Sequence, residues 1–181
     1  MEKMDRGIRR CRACPLHQAR TQAVPGEGPV PSRIMFIGEA PGAKEDESGR
    51  PFVGPAGRFL SESLATHGLD RADIYITSCV KCRPPRNRTP HADELATCQA
   101  RWLHRQIDLL DPEIIVLLGG VAVRQVLSER RNLKDVQGEM RTRDGRAYLI
   151  TYHPAAAMRF PAPAAGFRQA MAKLRKLAAD I

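Results

Sequence analysis

The chain has 181 residues, enough for one domain with a full core, and its 43% hydrophobic content is ordinary for a globular protein. Its 29 Lys and Arg against 20 Asp and Glu leave a formal net charge of +9, which favours a polyanionic partner, nucleic acid ahead of an anionic membrane. No stretch is long and apolar enough to span a bilayer, and the opening MEKMDRGIRRCRACPLHQ lacks the apolar core of a signal peptide, so the expected location is the cytoplasm.

In chain order, an N-terminal arm carries Cys11 and Cys14 as C-x-x-C. Four strands are predicted, at 34–37, 74–78, 114–118 and 148–151, each a β-branched or aliphatic run. They are apolar on both faces, which suits a buried, mainly parallel sheet. Helical patterns fall between and after them, at 57–69, 91–110, 119–130 and 166–181. The second of these is expected to be capped by Thr89 with Pro90 at its first position. The segments 38–54 and 83–90, rich in Gly, Pro and charge, read as loops. Alternation of strand and helix gives an α/β class: a three-layer α/β/α sandwich around a central four-stranded sheet. Ligands in such sheets sit at the carboxyl ends of the strands. GEAPG, CVKCRPP and HPAAAMR follow the first, second and fourth strands, so they should converge on one edge.

Five cysteines in a cytosolic chain point to metal or redox roles rather than disulfides. Cys11, Cys14, Cys82 and Cys98 supply four thiolates, suited to zinc or to an iron–sulfur cluster, and spacing alone does not choose between them. Such a site would staple the arm, residues 1–30, and the basic RPPRNRTP loop onto the sheet. The C-x-x-C as a redox pair is the alternative, although it does not sit in a thioredoxin-like unit. Cys79, in an apolar strand, reads as a buried structural cysteine.

GEAPG, residues 38–42, is neither a P-loop nor a dinucleotide fingerprint. Pro41 removes a backbone donor and Glu39 repels phosphate, so the turn fits a neutral polar ligand; the alternative is a plain strand-to-helix turn. His153, fixed by Pro154 at a strand end, reads as a positioned hydrogen-bond donor to developing charge, or as a histidine bonded only to its own loop. Phe52 reads as a stacking platform for a planar ligand, or as a plug into the core.

Taken together these motifs resemble the family-4, iron–sulfur branch of the uracil-DNA glycosylase superfamily. Cys11 and Cys14, GEAPGAKED, PFVGPAG, VKCRPPRNRTP, Cys98 and YHPAAAMR occur in that family's order, and the match covers nearly the whole chain. The resemblance implies a single domain over 1–181 that flips uracil out of DNA and hydrolyses its N-glycosidic bond, leaving an abasic site. It implies a 4Fe–4S cluster on Cys11, Cys14, Cys82 and Cys98. Gly38, Ala40, Pro41 and Gly42 would wall a uracil pocket, with Phe52 stacking on the base and Ser78 reading its edge. His153 would donate to the uracil O2, and Glu39 would orient the water or the sugar. Met158 and Arg159 would fill the gap left in the duplex. Lys81, Arg83, Arg86, Arg88 and Arg159 would contact the DNA backbone, single- or double-stranded.

Family members usually carry asparagine where this chain has Ser78. Serine offers one hydroxyl instead of a bidentate amide. The expectation is weaker discrimination against cytosine, or preference for another deaminated base such as hypoxanthine or xanthine. A non-catalytic iron–sulfur module that grips DNA is a further alternative. So is an electron-transfer protein, against which the absence of any flavin or nicotinamide signature counts. Turnover is expected to be simple hydrolysis, since Lys44 and Lys81 read as surface or phosphate contacts rather than nucleophiles. A cytoplasmic, nucleoid-associated monomer is expected.

Overall fold

The computed structural model describes residues 1–179; the last two residues of the helix expected at 166–181 lie outside the described residues. Five strands form one sheet in the order β2-β1-β3-β5-β4. They are β1 (Ile34–Gly38), β2 (Ile74–Ser78), β3 (Ile114–Leu118), β4 (Met140–Arg143) and β5 (Arg146–Thr151). The first three and β5 are mutually parallel, with Ile34 beside both Ile74 and Ile114, and Leu117 beside Ile150. β4 is a fifth strand, antiparallel to β5 at the sheet's edge. It corrects the four-strand expectation. Its turn is Asp144-Gly145, both at positive φ (51° and 75°), the dipeptide that a tight hairpin turn demands.

β1, β2, β3 and β5 are mostly apolar because each alternates between two cores. Ile34, Phe36, Ile114 and Val116 face one layer with Leu60, Leu64, Phe167 and Met171. Met35, Ile37, Ile115 and Leu117 face the other, with Ile8, Leu103, Leu110 and Ala122. The helices are α1 (Glu2–Arg9), α2 (Ala43–Ser48), α3 (Pro55–Thr66), α4 (Ala92–Cys98), α5 (His104–Leu110), α6 (Gly120–Leu127), α7 (Leu133–Val136), α8 (Pro154–Ala157) and α9 (Pro161–Ala179). Helices α3 and α9 cover the first face; α1, α5 and α6 contribute to the second. The three-layer sandwich therefore stands.

Three local expectations change. α2 interrupts the segment read as a loop at 38–54. α4 starts at Ala92, and the Glu94 carboxylate accepts the His91 N–H at 2.7 Å, so neither Thr89 nor Pro90 occupies the predicted cap. Between α4 and α5 the chain makes one wide π turn over Gln99–Leu103, a local widening that often marks functional positions.

The arm is fastened at several points besides its cysteines. Asp46 is buried and accepts the Thr21 N–H at 2.9 Å. Glu27 pairs with Ile76 on the free side of β2, and Val24 N–H donates to the Lys81 carbonyl at 2.8 Å. Among the described residues no helix is long and apolar enough to cross a membrane.

Candidate active site and cysteine site

The turns after β1, β2 and β5 close together around a cavity of about 400 Å³. Glu39, Ala40, Pro41 and Gly42 line one wall, with Phe52, Ser78 and His153 around them. Gly38 ends β1 beneath them. A Cβ there would lie 2.6 Å from the Phe52 ring, so glycine is what admits the aromatic at this point.

Phe52 holds φ at 51°, a left-handed conformation that costs a non-glycine residue about 1–3 kcal/mol. Gly57 in α3 makes room for its backbone: a Cβ on Gly57 would sit 1.8 Å from the Phe52 carbonyl oxygen. The carboxylate of Glu45 then joins the two walls. It accepts N–H bonds from Gly42 at 3.1 Å, Val53 at 2.9 Å and Gly54 at 2.8 Å.

His153 caps α8: its Nδ1 accepts the Ala155 N–H at 3.1 Å. That bond assigns the proton of the neutral ring to Nε2. Burial lowers its pKa from 6.5 to about 4, although Glu45 pulls upward. The ring is thus a neutral donor at pH 7, with its centroid 5.6 Å from that of Phe52. Burial raises the Glu39 carboxyl above its ordinary range, against the Thr89 hydroxyl and the Arg124 guanidinium, which lower it.

Arg88 and Arg159 stand at the rim. Arg88 is clamped by the Glu94 carboxylate through two bonds, at 2.8 and 2.7 Å. Arg86 is exposed, and it and Asn87 both hold positive φ, at 54° and 57°. Arg83 steadies that turn by donating to the Asn87 side-chain oxygen at 2.7 Å. Met158 and Phe160 are large apolar side chains that stand out in solvent, 47% and 58% exposed. Arg159 between them is also exposed.

Behind β2, Cys11, Cys14, Cys82 and Cys98 line a second, smaller cavity. Each of the four sulfurs accepts an N–H bond from another residue. Trp102 Nε1 donates to Cys11 at 3.3 Å and Arg20 Nη1 to Cys82 at 2.8 Å. The backbone N–H groups of Leu16 and Lys81 donate to Cys14 and Cys98. Donors aimed at sulfur stabilise thiolate ligands, and hydrogen bonds to the sulfurs help set the properties of iron–sulfur centres. Among the described residues no three His, Cys, Asp or Glu side chains converge closely enough to hold a single metal ion. Four thiols around one cavity, each with its own donor, fit a body larger than one ion. Cys79 is fully buried elsewhere in the same core, and burial pushes its thiol up to about 12.

A family model described as the uracil DNA glycosylase superfamily matches residues 25–175. The chain belongs to that superfamily. It is 43% identical over 182 residues to a type-4 uracil-DNA glycosylase of Pyrobaculum aerophilum, a match spanning 95% of this chain and 91% of that one. A type-4 uracil-DNA glycosylase of Thermotoga maritima is 42% identical over 88% of this chain and 83% of its own. One from Sulfurisphaera tokodaii is 41% identical over 98% and 84%.

In this superfamily member Glu39, Ala40, Pro41, Gly42, Phe52, Ser78 and His153 line one cavity, and one cation expected at the surface lies in the core. Lys81 was expected on DNA. Its side chain is buried, 1% exposed, and Nζ donates to Thr77 Oγ1 and to the Ser78 carbonyl, both at 2.7 Å. It lies in a stretch, Cys79 to Cys82, that is buried throughout, where no phosphate reaches. Sequence reading also passed over Glu45 as the residue joining the walls; its spacing three residues after Gly42, at a helix start, is the signal that finds it. Thr89 and Arg124, which act on Glu39, carry no local sequence signal.

Proposed function

We propose that the protein is a monofunctional uracil-DNA glycosylase, one domain acting as a monomer on DNA in the cytoplasm. The observation that carries this reading is the neutral His153, held by its Nδ1 bond so that Nε2–H is free for a ligand beside Phe52. Uracil swung out of the stack lies against Phe52. The C1′–N1 bond breaks with its electron pair leaving on the base, and negative charge spreads to O2. A donor already aimed at O2 gains strength as that charge grows, worth about 3 kcal/mol, a hundredfold or more in rate. The sugar left behind is oxocarbenium-like; water adds at C1′ and gives up one proton, which ends on the departing uracil anion. Glu39 lines the same wall and orients that water or steadies the sugar.

Ser78 offers its hydroxyl to the base edge and leaves the amide-type double contact unmade, which lowers selectivity against cytosine by about 1–3 kcal/mol. Arg83, Arg86, Arg88 and Arg159 carry phosphate contact, and Met158 enters the duplex. Hydrolysis without strand cleavage follows from the lysines: Lys44 is paired with Glu47 at 3.0 Å and Lys81 is buried, so neither is a free amine in the pocket. Cys11, Cys14, Cys82 and Cys98 would hold a 4Fe–4S cluster, which supplies a cross-link between the arm and the basic loop.

The test is base release from end-labelled oligonucleotides carrying uracil, hypoxanthine or cytosine, scored by alkaline cleavage. Release at uracil that is lost in His153→Ala supports the reading. Release only at hypoxanthine reassigns the base, and tight DNA binding with no release overturns the enzyme.

A further inference from the structure

Lys81 touches both sites at once. Its backbone N–H donates to Cys98 Sγ, and its side chain lines the cysteine cavity. Its ammonium donates to the carbonyl of Ser78, the last residue of β2, and to Thr77 Oγ1. Thr77 Oγ1 in turn donates to the Pro25 carbonyl at 2.7 Å, and Gln106 donates to the same carbonyl at 2.9 Å. So the strand end that presents Ser78 to the base pocket is held by a buried charge whose own backbone is bonded to a cysteine ligand candidate. A buried ammonium without counter-charge is costly. Four thiolates, on a cluster that leaves them net negative, supply that counter-charge.

We propose that Lys81 is a positioning residue that couples the four-cysteine site to base recognition: filling the cysteine site fixes Lys81, and Lys81 fixes the Ser78 end of β2. The inference rests on the glycosylase reading and deepens it. Ser78 is held at its backbone carbonyl by the bond from Nζ, next to the bond of the Cys79 N–H to the Gly38 carbonyl, and these bonds fix the backbone from which its hydroxyl projects. When the cysteine site is emptied, the Asp5 carboxylate is left as the counter-charge that acts on the ammonium, and the strand end loosens. Discrimination between bases then falls while grip on the DNA backbone does not.

The experiment compares binding to two oligonucleotides that are not cleaved, one with 2′-fluoro-deoxyuridine and one with thymine at the same position. Iron content is measured alongside. In the unsubstituted protein the preference for the fluorouridine strand is expected to fall roughly tenfold when iron is stripped by a chelator, with affinity for the thymine strand unchanged. Lys81→Met is expected to show the same loss before stripping, and stripping is expected to deepen it little. Losses that add in full, or a Lys81→Met protein with intact preference, overturn the coupling. If Lys81→Met does not fold, Lys81→Gln takes its place, since it keeps a donor but removes the charge. Its preference should no longer depend on iron, and a Gln variant that still responds to stripping overturns the proposal. An unsubstituted, iron-loaded protein with no preference for the fluorouridine strand fails the glycosylase reading itself.

Discussion

Phe52 follows β1 in the chain and His153 follows β5, yet their rings stand with centroids 5.6 Å apart and planes tilted by 32°. Phe52 holds its left-handed backbone against Gly57, whose missing Cβ leaves room for it, and His153 is turned by its bond from the Ala155 N–H. A planar base entering the cavity meets an aromatic face and a neutral N–H donor together.

Protonation of His153 should therefore be visible in stability as well as in rate. Its folded pKa of about 4 lies below the ordinary 6.5. Between those values the unfolded chain binds a proton that the folded ring refuses. The contribution is present in full above pH 6.5 and is lost as pH falls toward 4, about 3 kcal/mol at most. Thermal denaturation of His153→Gln should show a smaller drop in Tm from pH 7 to pH 4.5 than the unsubstituted protein. Equal drops would mean that the ring is not held neutral. His153→Ala should lower kcat about a hundredfold at pH 7.

Glu45→Gln tests the joint between the two pocket walls. One carboxylate satisfies three backbone N–H groups, and an amide has one oxygen for them and turns an NH2 toward the rest. The variant should lose about 1–3 kcal/mol of stability in denaturant unfolding. Its kcat/KM for uracil release should fall at least roughly tenfold as the walls part. Loss of stability with unchanged kcat/KM would confine Glu45 to folding.

Gly57→Ala probes the packing that strains Phe52. The new methyl would meet backbone, not a flexible side chain, at 1.8 Å. Either α3 withdraws or Phe52 leaves its φ of 51°. The Tm should fall by at least about 5 °C, on the order of 1–3 kcal/mol, with base release lost. A stable, active Gly57→Ala protein would show that the Phe52 conformation is not needed.

Most of this framework was legible because it rests on runs of one kind. Strands at 34–37 and 114–118 are uninterrupted apolar segments and 74–78 opens on Ile74, Tyr75 and Ile76, and a sheet covered on both faces is where such runs fit. β4 was missed because MRTR carries no apolar run. It is an edge strand whose outer side is solvated, and only the Asp144-Gly145 turn announces it. The pocket residues were found through short motifs bound to strand ends. Lys81 was misread for a related reason: in a basic loop a lysine looks like a phosphate contact, and only the three-dimensional course of the chain shows that this one turns inward toward Thr77 and Ser78. Donors to Glu39 and Glu45 come from other segments, so their roles are tertiary facts.

Emptying the cysteine site should loosen only part of the arm. Beside the cysteines expected to tie down residues 1–30, the arm is held by the Asp46 bonds to Thr21, the Val24 bond to Lys81 and the Glu27 bridge to Ile76. α1 and the turn to Arg20 depend on the sulfurs: Trp102 reaches Cys11, and Arg20 bonds both Cys82 and the Arg9 carbonyl. Hydrogen exchange on chelator-treated protein should show lost protection before residue 20 and retained protection at 21, 24 and 27. Uniform loss along the whole arm would make the cysteine site the sole anchor.

Salt dependence of DNA binding separates the cations that face solvent from the one that does not. Each phosphate contact contributes about 0.7–0.9 to the slope of log K against log salt, through release of condensed counterions. Arg86 and Arg159 are exposed at the two loops that flank the cavity mouth, so Arg86→Ala and Arg159→Ala should each flatten the slope by about that amount. Arg88 is already matched by the Glu94 carboxylate, and the pair presents little net charge, so Arg88→Ala should change the slope less than Arg86→Ala. Lys81→Met should leave it unchanged, because a side chain 1% exposed releases no counterion when DNA arrives. Anisotropy titrations on a thymine-containing duplex over a range of salt read all four slopes without involving the base pocket. A flattened slope for Lys81→Met would mean that β2 and its following turn open on DNA to bring that ammonium to the surface, and the burial seen here would then describe the free protein alone.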